Sequence, residues 1–181
     1  MRTARLLGRL ALGGVFFAHG TQKLFGWFGG SGPQATGQMM EKLGMHPGKR
    51  NALAAGSAET FGGLGIALGA FTPAAAAALI ATMITAIRTV HLEKGFFNTE
   101  GGYEFNLSLI AALLILVDGG PGSPSLDSAL DLDDTGPAWA LAALAAGAAA
   151  STLAIAAGAK AAPHAPDHAP APEPQPTPAS N

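Results

Sequence analysis

The chain has 181 residues, of which 49% are hydrophobic and 12% charged, with 25 glycines and a net charge of −2. Its length suits one domain, and its charged fraction is about half the roughly 25% usual in a soluble one. The charge balance argues against a nucleic-acid partner, and a chain with no cysteine cannot itself carry disulfides, Fe–S clusters or thiolate metal sites.

The first apolar stretch covers 6–28, behind Arg2, Arg5 and Arg9. Basic residues before an apolar run raise the question of a signal peptide, and Ala18-His19-Gly20 would serve as a cleavage site. The run resumes as Leu24-Phe25-Gly26-Trp27-Phe28, and the whole is about the 20 residues a span needs, so it reads as a retained first helix. A polar loop over 29–50 follows, punctuated by Gly and Pro. Met39, Met40, Leu43 and Met45 predict one short interfacial helix within it, stopping at Gly44.

The second span, 52–71, holds one charge, Glu59, and a Gly65/Gly69 pair at the spacing of close helix contacts. The turn at Phe71-Thr72-Pro73 is so short that the second and third helices must be antiparallel neighbours. The third span, 73–91, ends on Arg88 and His91. A loop with Lys94, Phe96, Phe97, Asn98 and Gly101-Gly102 leads to a fourth span, 103–118. An acidic, turn-rich linker over 118–136 precedes a fifth stretch, 137–159, without a single charge but weakened in hydropathy by its alanines. Beyond Lys160 seven prolines lie among alanines and polar residues, a composition that cannot bury a core and stays disordered or partly polyproline II. His164 and His168 there read as solvated tail residues rather than metal ligands.

The expected fold is therefore all-α: a membrane helical bundle with a four-helix core over 1–132, an additional helix over 133–160 and a Pro/Ala-rich tail over 161–181. The arginines before the first helix place the N-terminus in the cytoplasm. Lys42, Lys49, Arg50 and Lys94 would then lie outside, against the positive-inside rule. Five spans put the tail on the far side of the cell membrane.

The ionisable residues inside these spans carry the functional argument. Each costs about 2.5–3.5 kcal/mol at mid-depth on insertion scales, so each prefers the bundle interior, a partner or a wet cavity. His19, Lys23, Glu59, Arg88, His91 and Glu104 sit at helix ends that an alternating bundle brings to one side. They form a candidate polar pocket, with Lys23 or Arg88 as counter-charge to Glu59. Lys23 is also the member best able to snorkel outward. The opposite end offers only Arg2, Arg5 and Arg9, with no comparable set within the spans. For any one residue the bland alternative is snorkelling to an interface, and for the aromatic residues near that mouth it is an interfacial belt.

His19-Gly20 with Lys23-Leu24-Phe25-Gly26 and Gly29-Gly30 resembles the first-helix signature of the DoxX family. So do Glu59-Thr60-Phe61-Gly62-Gly63-Leu64, His91 with Gly95-Phe96-Phe97, and Gly101-Gly102-Tyr103-Glu104. The segment from Gly120-Pro121-Gly122 to Ser125-Leu126-Asp127 completes a resemblance that covers 5–132. It implies a four-helix membrane core. Some members of that family are associated with thiosulfate:quinone oxidoreduction, others with membrane complexes that handle oxidative and thiol stress.

Three functions compete. In a redox-linked membrane subunit, His19, His91, Lys23 or Arg88 would donate to a quinone head group while Glu59 or Glu104 relays protons. Without cysteine or a flavin or nicotinamide motif, its electrons would come from a partner protein, such as a soluble redox or thiol-stress protein, or from a diffusible donor. A non-enzymatic scaffold or assembly factor would instead use loops and tail to recruit a partner. A divalent-metal or proton site would use His19, His91, Glu59 and Glu104, though no ligand spacing marks it.

Overall fold

The computed structural model describes residues 2–132 and 134–163. The tail, with His164 and His168, lies outside the described residues. Among those described there is no strand; seven α-helices account for most of the chain: α1 (Arg2–Phe25), α2 (Gly32–Lys42), α3 (Gly48–Leu68), α4 (Thr72–Ala86), α5 (Glu104–Gly119), α6 (Leu126–Ala129) and α7 (Pro137–Lys160). The expected helices all occur, and α6 is added. The first ends three residues early because Gly26 turns to φ 72, leaving Trp27–Gly29 as a single 3-10 turn. The third leaves α geometry at Ile87–His91, which forms a π turn.

The long helices alternate in direction. Gly13 of α1 faces Gly63 of α3, while Gly20 faces Gly56 and Thr60, so the two run antiparallel. A Cβ built on Gly63 would lie 2.7 Å from both Gly13 O and Phe17 N, and one on Gly20 would lie 2.5 Å from Thr60 N. Glycines seven residues apart on each helix thus bring the two backbones into contact. Of the expected pair, Gly65 does pack closely, a Cβ there lying 3.0 Å from Ala75 Cβ of α4. Gly69 is instead the left-handed cap of α3 (φ 61), with Ala70 N donating to Gly65 O at 2.8 Å and Gly69 N to Ile66 O at 3.1 Å. Parallel to α4 runs α7, whose Gly147 sits against Ile80 and whose Ser151 hydroxyl lies 3.0 Å from that of Thr85. Phe16, Ile66, Leu79, Ile80, Leu113 and Val117 fill the centre.

The linker over 118–136 does not trail loose; it closes the end of the bundle away from the third loop. Ser125 and Ser128 cap α6 reciprocally, each backbone N–H donating to the other's hydroxyl. Asp127, only 4% exposed, accepts from Phe71 N (2.6 Å), Thr72 N (3.0 Å) and the Thr72 hydroxyl (2.6 Å), and so caps the start of α4. Arg9, equally buried, donates through Nη1 to Pro121 O at 3.1 Å and through Nη2 to Pro124 O. Arg5 reaches Gly119 O at 2.9 Å. To the arginines expected at this end the linker thus adds a buried carboxylate. Arginines one turn apart on α1 bind carbonyls of the returning loop, and a carboxylate 118 residues beyond Arg9 satisfies the head of α4.

Asp127→Ala is expected to destabilise the fold by about 2–4 kcal/mol, since three charge-assisted bonds vanish and buried donors are left unpaired. Asp127→Asn, which keeps one acceptor, should lose less. Denaturant midpoints in detergent check both; a wild-type midpoint for Asp127→Ala would contradict the cap.

Candidate functional site

At the other end, α1, α3, α4, α5 and α7 enclose a cavity of about 660 Å³, with α2 along its rim. That is within the roughly 300–1,000 Å³ range of small-molecule sites. Its walls are largely apolar and include four of the chain's five methionines: Met39, Met40, Met45 and Met83. Methionine is unbranched and polarizable, so such walls adapt to ligand shape.

His19, Lys23, Glu59 and His91 all lie on the cavity wall. Glu59, 3% exposed, stands in the middle of α3, and the Lys23 ammonium is in direct contact with its Oε2. The same ammonium points at His19 O, 3.4 Å away. The close α1–α3 approach makes this possible, because a Cβ on Gly56 would meet Lys23 Cβ at 3.2 Å. Lys23 therefore turns inward, not out to an interface. His91, at the end of the π turn, is fixed by a 2.6 Å hydrogen bond between Nδ1 and Gly101 O.

Two expected members face elsewhere. Arg88 is exposed and donates to the Thr152 hydroxyl of α7 at 3.0 Å. The wider π turn separates Arg88 and His91 by more than the angle that sets i, i+3 neighbours of an α-helix on one face. Glu104 accepts from Asn98 N at 2.9 Å and staples the loop before α5. Neither lines the cavity, and Lys23 alone is the counter-charge of Glu59. With Glu104 turned away, the four-residue metal site does not form; among the described residues no three His, Asp or Glu side chains are grouped to hold a metal ion.

Sequence reasoning passed over Asn106, which is buried on the cavity wall and donates from Nδ2 to Met83 Sδ at 3.4 Å. An amide inside an apolar run was the available sign, by the same cost argument that singled out Glu59.

The outer surface carries many large apolar side chains. Phe61 on α3, Ile115 on α5 and Leu153 on α7 are 70%, 73% and 70% exposed. Large apolar side chains turned outward around a bundle mark a surface covered by something other than water. Two helical stretches, Thr72–Lys94 and Pro137–Lys160, are long and apolar enough to cross a membrane; α5, at 16 residues, rises only about 24 Å. Fold and surface together define an all-helical membrane protein with a polar-floored cavity at one end.

The DoxX family model matches residues 4–92, and this part of the chain is a DoxX domain. The match takes in α1 to α4 with Glu59 and His91, and leaves α5, α6 and α7 beyond it. No curated protein and no solved structure matches the chain.

Proposed function

We propose that the protein is a multi-pass protein of the cell membrane whose cavity takes the head group of a lipid-soluble, quinone-type ligand, as the membrane subunit of a redox system completed by a soluble partner. The observation that carries this is the Lys23–Glu59 pair in a cavity that His19 and His91 also line and whose walls are largely apolar. Apolar walls with a few convergent polar groups suit an amphipathic ring and its chain. The five long helices alternate in direction, which is the arrangement of a chain that crosses repeatedly.

A short-chain benzoquinone titrated into the purified protein in detergent should bind saturably. Ala150→Trp, which fills the cavity from an exposed position on α7, should weaken binding at least tenfold; Ala149→Trp, exposed beside it but off the cavity wall, should not. Binding no greater than to empty micelles, or equal binding by both variants, would remove the proposal.

A further inference from the structure

His91 presents the cavity with an acceptor whose role is set before any ligand binds, and we infer from this that the site selects the reduced, hydroxyl-bearing form of its ligand, with His91 Nε2 accepting from a ligand hydroxyl. The inference rests on the quinone-type reading of the cavity and adds to it which redox form binds.

His91 is the centre of the argument. A carbonyl oxygen cannot donate, so at 2.6 Å from Gly101 O the Nδ1 atom must carry the proton. In the neutral ring Nε2 is then an acceptor. Among the described residues no hydrogen bond is made to that nitrogen, on a ring that lines the cavity. The carbonyl that sets this tautomer is itself held in place. Gly101 N donates to Asn98 O (2.9 Å), Gly102 N to Phe97 O (3.0 Å) and Glu104 N to Phe96 O (2.9 Å). A Cβ on Gly102 would come within 2.3 Å of Gly95 O, so the loop is packed as tightly as backbone allows. The acceptor is therefore in place before any ligand arrives, which spares the ordering cost of creating it.

Two threonine hydroxyls on the wall follow the same pattern: those of Thr82 and Thr89 donate to Leu79 O (2.8 Å) and Thr85 O (2.9 Å), so each has its one proton engaged and only lone pairs left to offer. The Lys23 ammonium has two of its three N–H directions taken by Glu59 Oε2 and His19 O. The amides of Asn51, Asn98 and Asn106 also line the cavity and carry both donors and an acceptor, with one Asn106 N–H directed at Met83 Sδ. Among the described residues no hydrogen bond fixes the His19 ring, which can present either role. An amide can turn to meet either form of a ring, whereas the His91 tautomer is held by Gly101 O.

A benzoquinone offers two carbonyl acceptors and no proton. Placed with an oxygen at His91, it would leave Nε2 facing an oxygen lone pair. The corresponding quinol offers two O–H donors and can still accept from Lys23 through the same oxygens. A buried acceptor left facing another acceptor is penalised more than a satisfied pair gains, so the two forms of one ring should separate in affinity.

The test uses the full-length protein in lipid nanodiscs under anaerobic, reducing or oxidising conditions, with equilibrium binding of a short-chain benzoquinol, the matching benzoquinone, and the dimethyl ether of that quinol. The quinol should bind about tenfold more tightly than the quinone. The dimethyl ether, which keeps the oxygens and loses both protons, should fall to the level of the quinone or below. His91→Leu should bring the quinol to quinone ratio to about one, and the ether comparison decides the matter on wild-type protein if that variant fails to fold. Equal or tighter binding of the quinone overturns the inference and leaves the quinone-type cavity standing. Binding of none of the three overturns both.

Discussion

Replacing Gly63 with leucine is expected to leave no stable bundle. A Cβ at that position already comes within 2.7 Å of two backbone atoms of α1, Gly13 O and Phe17 N, and neither can move without the helix they belong to. Even Gly63→Ala should destabilise by about 1–3 kcal/mol, the usual range for overpacking, although alanine favours the helix by about 0.8–1.0 kcal/mol over glycine. Gly14 on α1 supplies the opposite case. It is exposed, nothing lies within 4 Å of its would-be Cβ, and Gly14→Ala should raise stability by up to about 1 kcal/mol. Detergent unfolding followed by circular dichroism reads both signs. Wild-type midpoints for Gly63→Leu would show that α1 and α3 are not in backbone contact.

The same pair of glycines explains what could and could not be read from the chain. The placing and direction of the long helices followed from apolar length and Gly/Pro turns, because lipid or a lipid-like surface leaves the backbone few alternatives to helix. Contact faces did not follow. Gly65 and Gly69 carry the spacing of a close-packing pair, yet one of them ends the helix, while the true contacts at Gly13, Gly20, Gly56 and Gly63 repeat every seven residues on two separate helices. Only the partner helix distinguishes them. The cavity was legible for a similar reason and to a similar degree. Alternating helices bring the ends bearing His19, Lys23, Glu59 and His91 to one side whatever their detailed packing. Which side chains then turn inward depends on local geometry. A π turn swings Arg88 to Thr152, and a loop amide draws off Glu104. The capping role of Asp127 was hidden more completely, since one aspartate among five in an acidic linker carries no sign that it will cap a helix 55 positions earlier.

The second large effect is expected at the Lys23–Glu59 pair. Removing one partner strands a charge in an apolar cavity, and Lys23→Met should destabilise the protein by about 3–5 kcal/mol because Glu59, 3% exposed, keeps its cost of burial and loses its compensation. The double variant Lys23→Met/Glu59→Gln removes both charges and should recover most of that loss, since buried ion pairs replaced by neutral groups of similar size are often no less stable. The coupling between the two single changes is expected to be about 0.5–3 kcal/mol, as for residues in direct contact. Stability alone does not say why the pair is kept, and ligand binding does. If the pair serves only to hold α1 against α3, the double variant should bind a quinone-type ligand as well as the native chain does. If Lys23 directs an N–H at the ligand, the double variant should fold with near-native stability and still bind at least tenfold more weakly, because the restored fold lacks the donor. Full recovery of both stability and binding would make the pair a structural device and take the polar floor out of the proposed site.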